Sequence, residues 1–223
     1  MNTTIIQFTP SDDYNYNLDK LVNYIKTSTS KLIVAPEVCV TGFDYANFQK
    51  ANKFANTIKD TVLALSDNKI IVFSVIEDNK NYIYVFYNQK IIYKRAKIKL
   101  FGYEKRYFEA GNDEVEIFEV DGIKFGVLVC FEVRFIEYWQ KLRGVDVVLI
   151  PAMWGEERKE HLITLSMALA LSLQSYVVVS DGLAKSSSII DPWAKRLQNT
   201  DEILTAKIDF DYIYKIRKRF KLE

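Results

Sequence analysis

The chain predicts a layered α/β domain built around mixed β-sheet, and three observations carry that reading. Apolar runs of strand length, such as residues 32–35 (LIVA), 70–75 (IIVFSV) and 126–129 (GVLV), recur along the chain and stop at turn residues or charge. Stretches with helical spacing lie between several of them. Hairpin turns such as Asp121-Gly122 join others directly. Strands alternating with helices pair in parallel and hairpins add antiparallel neighbours, so both kinds of pairing are expected.

Taken in order, residues 4–8 form a first strand, turned by Thr9-Pro10-Ser11-Asp12. Over residues 17–27, Leu18, Leu21, Val22 and Ile25 share one helical face, with Asn17 as the expected N-cap. Residues 31–35 make a buried strand stopped by Pro36-Glu37, and residues 46–65 carry one or two helices. Residues 70–75 are a second buried strand. Residues 81–86 and 91–93 flank a hairpin turn at 87–90, and residues 114–120 and 124–129 flank Asp121-Gly122.

Beyond these, residues 135–142 suit a helix closed by Gly144, and residues 145–150 a strand ended by Pro151. A helix over 157–172, strands over 176–180 and 187–190, and a last strand over 205–209 complete the series. The basic tail, residues 212–222, is helical or extended. No repeat or linker interrupts the pattern, so residues 1–223 are expected to be one domain.

Composition narrows the function. Thirty basic residues oppose 29 acidic ones, a net charge of +1, and nothing in that balance asks for nucleic acid or an anionic surface. No apolar run nears the roughly 18 residues that span a bilayer. The opening MNTTIIQFTPSDD lacks the basic and apolar regions of a secretory leader, and the two cysteines, Cys39 and Cys130, make no disulfide framework. A cytoplasmic protein is expected. With the single histidine His161, no metal-ligand spacing is recognisable, so neither metal nor cofactor is expected.

Three strand ends stand out. Glu37 follows LIVAP, Lys97 lies in YKRAKIKLF, and Cys130 ends GVLV before the charged stretch FEVRF. Open α/β sheets build their sites at such ends. A thiol, a carboxylate and an ammonium suffice for acyl transfer without histidine: the carboxylate takes the thiol proton, while the ammonium lowers the thiol pKa and faces the developing oxyanion. Singly each residue has a plainer account: a buried small hydrophobe, a loop acid, and a solvated basic face.

Together and in this order they resemble the nitrilase superfamily of carbon–nitrogen hydrolases, over nearly the whole chain. LIVAPEVCVTGF matches that family's apolar-Pro-Glu-x-x-x-Thr-Gly segment. AKIKLF matches its lysine segment, EKRYFEAGN its second-glutamate segment, and GVLVCFEVRFIEYWQKL its nucleophile segment; IPAMW, His161 and IIDPW follow in the usual order. The resemblance implies a four-layer α-β-β-α sandwich with mixed sheets, paired as a homodimer. It implies Glu37 as general base, Lys97 as oxyanion-stabilising lysine, Cys130 as nucleophile and Glu104 as the glutamate that orients lysine and substrate.

The backbone N–H of Phe131 is a second oxyanion donor on this reading, and Trp154 of IPAMW joins Phe131 in the substrate pocket. Arg134 is read as structural, pairing with Glu132 or Glu137, and His161 as a packing and hydrogen-bonding residue. Lys99 stands where the family has histidine; if residues 96–100 are extended, it shares a face with Lys97 and steers carboxylate-bearing substrates, or else it simply pairs with a nearby acid, Glu104 or Glu109 for instance. The implied reaction turns a small linear carboxamide into carboxylate and ammonia through a cysteine thioester, as in ω-amidases. Alternatives are a nitrilase or N-carbamoyl amidohydrolase, and a catalytically idle protein that keeps the fold. A nucleic-acid binder using KRAKIK and KIRKRFK lacks the overall basic balance.

Overall fold

A computed structural model describes residues 1–199 and 201–221. Strands β1 (Asn2–Ile6), β2 (Leu32–Val34), β3 (Ile70–Glu77), β4 (Lys80–Tyr87), β5 (Lys90–Ala96), β6 (Phe118–Val120), β7 (Ile123–Val127), β8 (Val147–Ala152), β9 (Tyr176–Asp181), β10 (Ser188–Ile190), β11 (Arg196–Gln198) and β12 (Ile203–Lys207) make two six-stranded sheets. Their orders are β12-β1-β2-β3-β4-β5 and β11-β10-β9-β8-β7-β6. Each has three parallel strands at its centre, β1-β2-β3 and β7-β8-β9, with antiparallel neighbours outside.

The period-2 alternation of strand side chains explains the layering. Ile5, Leu32, Val34, Ile70, Val72, Ile83 and Val85 enter the interior shared with the second sheet. Their neighbours Ile6, Ile33, Ala35, Ile71, Phe73, Tyr84 and Phe86 face the other way, onto helices α1 (Tyr14–Thr27) and α2 (Phe48–Ala64). Burying one such aliphatic or aromatic side chain stabilises by roughly 1.5–3 kcal/mol. On the second sheet, α3 (Ile136–Lys141) follows the β7 end, and α4 (Lys159–Leu173) packs on β9 and β10. The result is the expected α-β-β-α sandwich, completed by α5 (Phe210–Arg219).

Several boundaries differ from the sequence expectation. The first helix starts at Tyr14 because Asp13, not Asn17, is the N-cap: its Oδ1 accepts from Asn15 N and Tyr16 N at 3.0 and 3.1 Å. Asn17 is buried and braces the neighbouring loop, donating to Ser11 O and Val40 O. Residues 114–117 lie outside the β6–β7 ladder, and β11 is a strand of three residues too short to read from periodicity. The last strand pairs over Ile203–Lys207. The tail is helical to Arg219, and the expected end at Leu222 lies outside the described residues.

Strand direction places the site. β5 returns to the direction of β3 after the antiparallel β4, so β2, β3 and β5 end at one edge. The second sheet brings the ends of β7, β8 and β9 to meet them. Glu37 N donates to Ala152 O at 3.3 Å, and Ser180 Oγ donates to Ile6 O at 2.6 Å, across the two sheets.

Candidate active site

Glu37 follows β2, Lys97 immediately follows β5, and Cys130 follows β7 by three residues. The structure brings all three together with Glu104. Lys97 Nζ donates to Glu37 Oε1 and to Glu104 Oε1, each at 2.8 Å, and neither Glu37 nor Lys97 has measurable exposure. Asn81 Nδ2, on β4, donates to the same Glu37 Oε1 at 2.8 Å. Glu37 Oε2 is left buried without a protein partner.

Local backbone serves these side chains. Val38 and Cys130 have φ of +40° and +50°, a region that side-chain-bearing residues adopt at a cost of order 1–3 kcal/mol. Val38 N is held there by Ser74 Oγ at 2.7 Å. The backbone of Gly111 donates to Lys97 O at 2.8 Å and comes so near Ala96 that a Cβ would lie 2.5 Å from its carbonyl oxygen. Glycine is needed at that crossing.

Two glutamates each hold a turn and a cation. Glu104 Oε2 accepts from Phe101 N, capping the 3₁₀ turn Gly102–Arg106, while Oε1 holds Lys97. Glu132 does the same for the turn Cys130–Arg134: Oε2 accepts from Val129 N at 2.8 Å and Oε1 from Ile98 N at 2.7 Å. The cation on Glu132 is Arg95. The basic run therefore is not one solvated face. Lys94 is partly exposed beside Glu77, Arg95 is buried on Glu132, and Lys97 is buried between Glu37 and Glu104.

Electrostatics follow from burial. Burial alone would lower the Lys97 pKa; the charges of Glu37, Cys130 and Glu104 overcome it and hold Lys97 above the ordinary lysine range. Burial raises Glu104, opposed by Lys97 and reinforced by Glu37. Burial and then Glu37 push the Cys130 thiol well above the usual range, and Lys97 offsets them only in part. The expected lowering by the ammonium is present, but burial and Glu37 outweigh it.

Phe131 and Trp154 line a small cavity with Cys130, together with Phe101, Arg134, Met153 and Arg158. Trp154 N is anchored on buried Asp181 Oδ1 at 2.8 Å, and its indole Nε1–H finds no protein acceptor. A larger cavity of about 430 Å³, against Arg143, Gln174 and Arg217, shares no lining residue with it. On the other flank, Lys97 Nζ lies 5.8 Å from the Phe43 ring, and Tyr45 is close enough that Glu104 adds to the upward pull of burial on its phenol.

Three expectations are met only in part. Glu132 is occupied by Arg95, so Arg134 turns instead to His161 Nδ1 at 2.8 Å and stands 5.3 Å over Trp154. His161 is exposed and makes the expected hydrogen bond, to Arg134. Residues 98–99 bend rather than extend. Lys99 therefore leaves the Lys97 side, lies 4.7 Å over the Phe135 ring and reaches Glu137 at 4.0 Å, not Glu104 or Glu109. Sequence reasoning missed Asn81, Arg95, Tyr45 and Arg158. Asn81 sits two residues after a tight turn at Asp78-Asn79, and only its depth in the sheet distinguishes it from turn residues.

A sandwich whose joined strand ends gather a buried thiol, carboxylate and ammonium is the framework of a carbon–nitrogen hydrolase. Residues 2–218 match the carbon-nitrogen hydrolase family, and the chain belongs to it. Among relatives, a 2-oxoglutaramate amidase of Bacillus subtilis is 28% identical over 228 residues, covering 91% of this chain and 88% of its own. An omega-amidase of Escherichia coli is 29% identical over 133 residues, 56% of this chain and 49% of that one. Nit3 of Saccharomyces cerevisiae, from branch 10 of the nitrilase superfamily, superposes with a TM-score of 0.87 at 22% identity, over 100% of this chain and 94% of that one. An amidase of Nesterenkonia sp. AN1, solved with acrylamide added at its active-site cysteine, superposes with a TM-score of 0.83 at 18% identity, over 98% of this chain and 97% of that one. No group of His, Cys, Asp and Glu among the described residues could hold a metal ion, and no helix there is long and apolar enough to cross a membrane.

Proposed function

We propose that this protein is a cysteine amidase that hydrolyses a small linear carboxamide, of the ω-amide kind, to carboxylate and ammonia. The observation that carries it is the division of labour on Glu37. Oε1 is held by Lys97 and Asn81, while Oε2 has no protein partner and is free to take a proton. Cys130 loses its proton to Glu37 as its sulfur attacks the amide carbon. Lys97 and the Phe131 N–H stabilise the oxyanion, and a donor so placed is commonly worth 10²–10³-fold, roughly, in rate. Glu37 passes the proton to the leaving nitrogen, ammonia departs, and a thioester remains. Water then gives a proton to Glu37 and adds to the thioester; the C–S bond breaks and Cys130 recovers its proton with release of the carboxylate.

Glu104 holds Lys97, with Trp154 on the pocket wall. The 2-oxoglutaramate amidase and omega-amidase relatives support the amide substrate. Lys99 has no part in this pocket. We place residues 1–223 in a single domain working in the cytoplasm, where Cys39 and Cys130 stay reduced. A homodimer is supported by large apolar side chains left in solvent: Leu171 of α4 is 49% exposed and Ile136 of α3 60% exposed. The deciding experiment is ammonia release over a panel of amides, nitriles and carbamoyl amines, with hydroxylamine added. Ammonia and a hydroxamate from amides alone support the reading; turnover of nitriles alone, or persistence in Cys130→Ala, overturns it.

A further inference from the structure

The cavity of about 430 Å³ that shares no lining residue with the Cys130 cavity gathers positive charge. Arg143, two residues past α3, Arg217 of α5 and Lys221, two residues past α5, line it, and no acidic side chain does. Arg217 is held in place: Nη1 donates to Asp146 Oδ1 at 3.1 Å and Nη2 donates to Val145 O. Asp146 is engaged on both oxygens, because its Oδ2 accepts from Lys124 N at 3.0 Å. Among the described residues, the side chains of Arg143 and Lys221 have no hydrogen-bond or ionic partner. Gln174 Nε2 donates to Phe220 O at 2.6 Å, which ties the segment carrying Lys221 to the end of α4.

We propose that this cavity is a second binding site, for a small organic molecule whose carboxylate or phosphate is held by Arg143, Arg217 and Lys221. The proposal stands apart from the amidase reading. Each cation also has a plainer task, since basic side chains commonly sit at helix C-termini and offset their partial negative charge. That task accounts for only part of the charge. Asp146 and about half a unit at each of the α4 and α5 ends neutralise roughly two of the three positive charges. Roughly one remains, and a concave site focuses its potential on an anion. The volume falls within the range of roughly 300–1,000 Å³ typical of small-molecule sites, which leaves room for an organic body against the buried Leu173. The Arg217 guanidinium keeps unused N–H donors, and because Val145 and Asp146 already fix it, it loses little freedom on gripping an oxyanion.

The probes are phenyl phosphate, benzoate and benzyl alcohol, which present a phosphate, a carboxylate and a neutral hydroxyl on one ring. Calorimetry on the full chain should show binding of at least one anion, weakening as salt is added, and none of the alcohol. The tighter anion identifies the headgroup. Arg143→Gln and Lys221→Gln remove the two unpaired cations, and each should weaken binding about tenfold, near the lower end for a hydrogen bond to a charged group. Lys90→Gln, which removes an exposed charge from the other sheet, should leave the affinity unchanged. Cys130→Ala should bind like the wild type, which keeps the anion out of the cavity beside the thiol. The site is overturned by no binding of either anion, by equal binding of the alcohol, by loss of binding in Cys130→Ala, or by affinity that neither Arg143→Gln nor Lys221→Gln changes. Calorimetry needs no turnover, so a protein that hydrolyses no amide would overturn the amidase reading and leave this test intact.

Discussion

Arg95 and Glu132 form a two-pronged ion pair, Nη1–Oε1 at 2.8 Å and Nη2–Oε2 at 2.7 Å, with both side chains essentially out of solvent. Arg95 stands two residues before Lys97 and Glu132 two residues after Cys130. The pair therefore ties the strand end carrying the ammonium to the turn carrying the thiol. Neutralising one member leaves a buried charge uncompensated, which typically costs about 3–5 kcal/mol. Glu132→Gln should lower unfolding free energy by that order in urea titration. Glu114→Gln, breaking the exposed contact with Lys141, should cost no more than about 1 kcal/mol. Equal effects would mean that the buried pair does not clamp the two ends.

The pKa of Cys130 offers a test with opposing signs. Burial is the main cause of its elevation, Glu37 the next, and Lys97 opposes both. Glu37→Gln removes an upward push and leaves the ammonium, so the thiol pKa falls and more thiolate is present at neutral pH. Iodoacetamide should then label Cys130 faster than in the wild type, while amide turnover drops on the order of 10²–10⁴-fold with the loss of the general base. Cys39 is buried and its thiol is pushed up to about 12, so it should stay unlabelled in the folded protein. Slower labelling in Glu37→Gln would contradict the assignment of charges.

Lys97 and Lys94 lie three residues apart in one basic run but in different surroundings. Lys97→Ala should lose roughly 10²–10³-fold in kcat, as removal of an oxyanion donor does elsewhere. Lys94 is 39% exposed beside Glu77, and Lys94→Ala should leave kcat near the wild-type value. Steady-state kinetics on one amide decide it, and similar losses in both variants would remove Lys97 from the oxyanion site.

The outer side of α4 gives a prediction about assembly. Leu171→Glu puts charge on an exposed apolar position, so its effect on folding should be small while a dimer using that face should dissociate. Sedimentation velocity should show a dimer for the wild type and a monomer for the variant. A wild-type monomer, or a variant dimer, would move the interface elsewhere or abolish it.

The strands that position the site were legible because β2 and β3 are apolar on both faces, the pattern of a short strand covered on both sides. Glu37, Lys97 and Cys130 were legible as departures from such runs. What stayed hidden depends on side-chain direction at irregular backbone. The bend at 98–99 sends Lys99 toward Glu137, whereas an extended strand would have aligned it with Lys97. Arg95 looked like surface charge because its partner is 37 residues away, in the turn that follows β7.

The groups proposed to react are divided between the halves of the sandwich: Glu37, Lys97 and Glu104 belong to the first sheet's edge, and Cys130 to the second's. Catalysis is therefore a gauge of how well the halves are docked. A state that keeps both sheets hydrogen-bonded but lets them slide by an ångström or two would preserve far-ultraviolet dichroism and yet be catalytically silent. On mild heating or in low denaturant, turnover should fade before secondary structure does, and the gap between the two curves would measure how loosely the halves are joined.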